Sequence, residues 1–417
     1  MESKTTNNKS KQKTTRRHTH SPQNRNSLIE NEPGPKTLSV GLENLAIVIV
    51  ILLFAEKIVS NFEKGEPFVD WSLFLYLTGN LHIVLVISFL MICWCSNILL
   101  LEILIVKKYI SNTIAYILYS ISQFILFIVP TYLALKFDFS IMGRGAITMQ
   151  MAVLLMKTHS FFFKETKGKK YPSNINLKDF GLYLVYPTLV YELEFPRTEK
   201  RDWMKILKYS FLMSGSLFVA YLNINYFMVP GFKETWEKNF GRLVLKLAVP
   251  TVFAWLTMFY GVFHCFLNLI AEIFMFADRK FYDDWWNALS FDQFWNKWNS
   301  LVYEWFLRHI YIDSMVDMKV PKAGATVLVF LVSALWHEYI ISMSFLLIRP
   351  YMFASMLGQF SVIYVTRIPS IRNSRFGNLI MWFGLSAGQA VVYLGYSMSY
   401  FAKITAQNSN QIPKSEL

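Results

Sequence analysis

Apolar runs long enough to cross a bilayer constrain this chain more than any other feature. The stretches 72–105, 113–136, 206–230, 242–276, 326–348 and 377–401 each reach or exceed the roughly 20 residues that a spanning helix needs. Shorter runs at 45–58, 146–163 and 351–366 bring the expected number of spans to nine. The runs 72–105 and 242–276 are longer than a bilayer requires, so they must tilt, break or continue beyond the hydrocarbon. The expected fold class is therefore all-α: a polytopic transmembrane helical protein with its polar chemistry in the interior.

A composition of 54% hydrophobic and 17% charged residues fits that class and no ordinary soluble one. The formal charge of +13 sits largely in the first forty residues and in loops, where membrane surface and orientation account for it. No nucleic-acid partner is expected. Cys93, Cys95 and Cys265 lie in or beside apolar runs with neither a metal-ligand spacing nor a disulfide framework, so they read as packing residues, and no metal is expected.

Residues 1–40 are rich in Lys, Arg, Asn, Ser and Thr and read as a disordered basic tail, with one membrane body from 41 to 417. The long polar segment before the first apolar run argues against a cleavable signal peptide. Threading nine spans in order puts Lys107-Lys108, the segment from Lys164 to Lys208, Arg279-Lys280 and Arg367 to Arg375 on one side. By the positive-inside rule that side is cytosolic, and it takes the N-terminus with it. The chain ends Lys414-Ser415-Glu416-Leu417, a near-match to a lumenal retrieval signal that fits this threading.

Between two apolar runs, residues 281–320 form an aromatic, charged segment expected at the interface. From Phe291 to His309, Phe291, Phe294, Trp295, Trp298, Val302 and Trp305 recur at helical spacing, giving one apolar face on a stretch too polar to span. Asn299 and Tyr303, four apart, share a face close to that stripe. Just upstream, Phe281-Tyr282-Asp283-Asp284-Trp285-Trp286-Asn287 packs four rings, two carboxylates and an amide into seven residues. An interfacial aromatic belt explains the rings but not the adjacent carboxylates.

Intramembrane ionisable residues are costly and by default functional. His337 lies midway along 326–348, one turn after Ser333 and beside Glu338. A neutral imidazole facing a buried hydroxyl is a general base. His82 and His264 also lie in apolar runs, and periodicity does not choose among the three. Ser333 with His337 could mimic a nucleophile and its base, although no third orienting group is visible. Gly384-Leu385-Ser386-Ala387-Gly388 matches G-x-S-x-G, but it sits inside a helix-length run with no strand before it, where a small-residue helix contact is expected.

Taken together, several stretches resemble the membrane-bound O-acyltransferase family, in its sterol and diacylglycerol branch. They are the complete heptad from Phe281 to Asn287, Trp298-Asn299, and Ser333-Ala334 with His337-Glu338-Tyr339. To these are added Met156 to Phe161, Pro187 to Leu189 with Tyr191, and Gly377-Asn378 through Gly388-Gln389. The resemblance implies an endoplasmic-reticulum enzyme with an intramembrane chamber, reached by acyl-CoA from the cytosol and by a membrane-embedded alcohol through the bilayer. It implies His337 as catalytic histidine and Asn299 as a second polar group, orienting the histidine or donating to the oxyanion. Phe281, Tyr282, Asp284, Trp285, Trp286 and Asn287 would belong to the acyl-CoA site. Trp298, Tyr303, Ser333, Glu338 and Gln389 would line the chamber. No bound cofactor is implied, and relatives assemble as dimers or tetramers, so a homo-oligomer is expected. Tyr303 departs from the family, which commonly carries a histidine there. Arg279, Lys280 and Lys297 are candidates for the coenzyme A phosphates, with positive-inside charge as the simpler account. Met156 to Phe161 looks closer to the sterol branch, so sterol esterification is the expected reaction, diacylglycerol acylation the alternative, and a non-catalytic lipid carrier or transporter the remote one.

Overall fold

The computed structural model describes residues 22–25, 27–28, 36–163, 176–233, 240–372 and 374–411. Among these, α-helix dominates, with only two isolated β-bridges, Arg25 to Asp278 and Arg197 to Phe276. The first half comprises α1 (Lys36–Lys64), α2 (Trp71–Thr78), α3 (Leu81–Val106), α4 (Asn112–Lys136), α5 (Ile141–Phe162) and the short α6 (Leu177–Val185). Next come α7 (Trp203–Asn223), α8 (Val229–Lys233), α9 (Phe240–Phe259) and α10 (Leu267–Ile273). Two further helices, α11 (Phe291–Trp298) and α12 (Ser300–Phe306), lead to α13 (Asp313–Val316), α14 (Lys322–Phe345), α15 (Tyr351–Thr366) and α16 (Arg375–Gln411). Ser111, Ser140, Asp202 and Ser290 accept backbone N–H groups at the starts of α4, α5, α7 and α11, satisfying donors that a helix cannot satisfy internally.

Six helical stretches among the described residues are long and apolar enough to cross a membrane: Trp71–Val106, Asn112–Lys136, Trp203–Lys233, Phe240–Ile273, Lys322–Phe345 and Arg375–Ile404. The chain is a multi-pass membrane protein. Of the other three expected runs, 45–58 falls within the 29-residue α1, while 146–163 and 351–366 are helical but fall short as spans by composition or length. The 16 residues of α15 rise about 24 Å at ~1.5 Å each, short of a ~30 Å hydrocarbon core. In α5, Arg144, Lys157 and His159 interrupt the apolar sequence.

Both overlong runs resolve locally. The first breaks at Gly79-Asn80, where Asn80 takes a left-handed φ of 62° between α2 and α3. The second continues through a π-helical segment, Tyr260–Phe266, into α10. Two more π segments, Ile224–Met228 and Leu307–Ile312, bridge α7 to α8 and α12 to α13. Such widened turns re-aim side chains at a cost in hydrogen-bond geometry.

The amphipathic stretch 291–309 is not one helix. It breaks at Asn299, whose backbone leaves the helical region (φ −142°, ψ 88°) and whose side-chain oxygen accepts the Val302 N–H at 3.1 Å to start α12. Apolar periodicity survives such a break, and for that reason spacing hides it.

The expected tail and the terminal Lys414 to Leu417 lie largely outside the described residues. The described part of the tail departs from a disordered reading. The Arg25 backbone bridges Ala277 and Arg279, its Nε meets Asp278 at 3.0 Å, and Ser27 is buried beside His264, while α1 begins at Lys36. The polar composition of residues 1–40 conceals these specific partners.

Candidate active site

The heptad is a structural knot. Phe281, Tyr282 and Trp285 are at most 2% exposed and pack with Trp255, Phe259, Phe294 and Trp298, the Trp255 and Trp298 rings stacking at 4.3 Å. The backbone of the heptad pairs with the break before α12: Asp283 N–H donates to Lys297 O at 2.8 Å and Ser300 N–H to Phe281 O at 3.0 Å. Heptad and Asn299 are thus one local assembly. At its far end, the Asn378 amide of α16 donates to the carbonyls of Trp286 and Ala288 at 3.0 and 2.8 Å. A Cβ at Gly377 would stand 2.2 Å from the Leu289 carbonyl oxygen, so only glycine permits that approach.

These placements revise the expected acyl-CoA contacts. Phe281, Tyr282 and Trp285 are core residues that support the site without lining it, and Tyr282 is tied to His264 Nδ1 at 2.8 Å. Asp284, Trp286 and Asn287 keep accessible surface. Burial by itself would raise the Asp284 carboxyl, but the Lys297 ammonium at 2.6 Å holds it below its ordinary 3.8. The cations named as phosphate candidates are also engaged. Arg279 is 4% exposed and paired with Glu272 at 2.5 Å, Lys280 pairs with Asp283 at 3.3 Å, and Lys297 with Asp284. Arg279 is therefore a buried structural cation, inaccessible to a phosphate.

The three candidate histidines separate clearly. His82 is exposed near the start of α3, and His264 is 3% exposed and bonded to Tyr282. His337 sits on α14, which packs against α4, α5, α15 and the π segment Leu307–Ile312. Although surrounded in this way, it keeps partial accessible surface. His337 Nδ1 lies 2.7 Å from the Ser333 carbonyl. A carbonyl can only accept, so Nδ1 carries the proton and Nε2 presents a bare lone pair. The Ser333 hydroxyl is 3.4 Å from that same protonated nitrogen, which cannot activate it. The Ser333–His337 nucleophile pair is thereby excluded. So is the G-x-S-x-G reading: the Ser386 hydroxyl bonds the Trp382 carbonyl at 2.8 Å within α16.

Glu338 faces away from this chemistry. One carboxylate oxygen accepts from Ser342 and Tyr396 at 2.8 Å each, and the other from Met352 and Phe353 N–H at 3.1 and 3.0 Å, at the start of α15. It joins α14, α15 and α16 through these bonds, whereas it was expected to line a chamber. Gln389 lies half-buried on α16, and Trp298 and Tyr303 are half-buried on either side of the break.

A cavity of about 260 Å³ opens beside the break, lined by Ser300, Leu301 and Tyr303, by Thr188 to Val190, and by the tail residues Pro22, Gln23 and Arg25. Nothing in spacing announced the contribution of the tail. Lys157 also escaped notice: fully enclosed, it donates to the carbonyls of Tyr183 and Tyr186 at 2.8 and 2.6 Å, while Ser160 accepts the Tyr191 N–H at 2.9 Å. The Ser160–Tyr191 bond joins the Met156–Phe161 and Pro187–Tyr191 stretches, and Lys157 ties the first to the end of α6.

A profile of the membrane-bound O-acyltransferase family matches residues 80–398. The chain belongs to this family. Its relatives include diacylglycerol O-acyltransferase 1A of Glycine max, 28% identical over 402 residues, covering 85% of this chain and 77% of that protein. Diacylglycerol O-acyltransferase 1 of Arabidopsis thaliana is 28% identical over 391 residues (86% and 72%), and that of Bos taurus 35% identical over 244 residues (55% and 48%). The half-buried His337 lies on α14, and the cavity beside the α11–α12 break is lined by neither His337 nor Asn299.

Proposed function

We propose that the protein transfers the acyl group of acyl-CoA to the hydroxyl of diacylglycerol, giving triacylglycerol and coenzyme A. The observation that carries this reading is the His337 ring, protonated at Nδ1 by the Ser333 carbonyl contact and bare at Nε2. Nε2 takes the proton from the acceptor hydroxyl as its oxygen attacks the thioester carbonyl. The tetrahedral intermediate then expels the thiolate by breaking the C–S bond, and the imidazolium returns the proton to sulfur.

Asn299 is proposed as the oxyanion donor. Its Oδ1 is held by the Val302 N–H, so the Nδ2 amide is the end left to point at a ligand. This favours donation over the alternative of orienting His337. The acceptor is proposed as diacylglycerol and not a sterol, because the relatives reported above are all named for diacylglycerol; the sterol-like Met156–Phe161 stretch is occupied in helix-to-loop packing. We place the protein in the endoplasmic-reticulum membrane with its N-terminus and the cavity on the cytosolic side.

The test supplies labelled oleoyl-CoA to purified protein with diacylglycerol or cholesterol and resolves the products. Labelled triacylglycerol is expected. Steryl ester without triacylglycerol would restore the sterol reading, and transfer to neither lipid would remove both.

A further inference from the structure

Asn299 sits at a break between two helices, so continuous helix geometry does not fix where its amide points. Its bond to the Val302 N–H aligns it with α12 on one side of the break. On the other side α11 packs against α15, and α15 packs against α14, the helix of His337. The short α15 therefore links the elements that carry the two proposed catalytic groups.

Polar contacts fasten α15 on both sides. At its start, the Met352 and Phe353 N–H groups donate to Glu338, the sequence neighbour of His337. Seven residues after Met352, about 10 Å along the axis at ~1.5 Å per residue, the half-buried Gln359 accepts from Trp295 Nε1 of α11 at 2.8 Å. An indole nitrogen only donates, so the Gln359 atom that faces it is the carbonyl oxygen. Trp295 stands four residues before Asn299. Beside Gln359, the Phe360 ring packs on Phe330 of α14 with centroids 4.7 Å apart. Asp292 and Arg367 add an ion pair at 3.8 Å between α11 and the end of α15, but their side chains are 40% and 60% exposed, and such a pair contributes little. The directional tie between α11 and α15 is thus the amide–indole bond.

We infer that Gln359 is a positioning residue for Asn299: through Trp295 it fixes α11 against α15, and α15 fixes that pair of helices against the helix of His337. This rests on the oxyanion reading of Asn299 above and adds the group that sets where Asn299 stands relative to the base. Gln359 acts through Trp295 and takes no part in bond making. A misplacement of about 1 Å costs on the order of 10²-fold in rate, whereas one neutral hydrogen bond adds little to stability, so the loss of this bond is read in turnover.

The experiment measures kcat and KM of the full-length protein in detergent with oleoyl-CoA and diacylglycerol. Q359L removes the acceptor and should lower kcat by about ten- to a hundredfold, with KM for both substrates within about twofold of wild type. Q359E keeps an acceptor oxygen in the same place and should restore most of the rate. N299D/Q359L should be no slower than N299D alone, because the glutamine acts through the asparagine. Unchanged kcat in Q359L, a loss that Q359E does not restore, or a further loss in N299D/Q359L each overturns the inference. Should Q359L fold poorly, W295F, which keeps a ring and removes the N–H, must give the same loss of kcat, and a wild-type rate there rejects the assignment. Full turnover in N299D refutes the oxyanion role and this assignment with it, whereas a slowed N299D beside an unimpaired Q359L refutes this assignment alone.

Discussion

At the residue scale, the site depends on which atom of each polar side chain is already engaged. His337 Nδ1 is engaged by the Ser333 carbonyl, which suits the proposed base, and the Asn299 oxygen caps α12, which leaves its N–H for the proposed oxyanion contact. The two jobs of Asn299 can be separated. Aspartate is as good an N-cap as asparagine but lacks the N–H, so N299D should keep the thermal stability of wild type while turnover falls by about 10²- to 10³-fold. Parallel melting curves and initial rates check this, and a variant that keeps most of its rate would remove Asn299 from the oxyanion site. Sequence spacing reached His337 and Asn299 as residue types, yet it could not choose among His82, His264 and His337. The choice depends on exposure and on the partner of one ring nitrogen, and neither leaves a trace in periodicity. Arg279, a phosphate candidate for which positive-inside charge was the simpler account, is buried against Glu272.

At the scale of elements, the decisive arrangement is the tie that Glu338 makes among α14, α15 and α16. Its carboxylate satisfies two of the N–H groups that α15 leaves open at its start, and a negative charge there is favoured by the helix dipole. E338A strands the Phe353 N–H and leaves Met352 N–H with only its longer bond to the Tyr396 hydroxyl, which falls back on the Arg349 carbonyl. The expected result is a loss of about 1–3 kcal/mol, read as a lower melting temperature, with turnover reduced because α14 is no longer held in register. Full stability in E338A would contradict the assigned role. The spans themselves were legible, because a long apolar run has few alternatives to a membrane helix. The break at Asn299 was not, since α11 and α12 continue one apolar stripe across it. The Asn378 staple onto Trp286 and Ala288 joins residues 92 and 90 apart, beyond any local pattern.

At the scale of the whole molecule, a family profile over residues 80–398 and, among the described residues, six helices long and apolar enough to cross a membrane make this a polytopic membrane-bound O-acyltransferase. Asp283 of the heptad, residues of the α12 break and the tail residues Pro22, Gln23 and Arg25 line one cavity, while His337, the proposed base, sits on α14. Here composition was a poor guide to the tail, because averages over forty residues hide the contacts of Arg25 and Ser27. The central claim is that one imidazole in this body moves the proton in ester formation. Its most direct test compares purified wild type with H337A in synthesis of labelled triacylglycerol from oleoyl-CoA and diacylglycerol. Loss of a general base predicts a fall in turnover of about 10²- to 10⁴-fold with hexadecyl-CoA binding and melting temperature preserved. Near-normal triacylglycerol synthesis by a folded H337A protein would contradict the account.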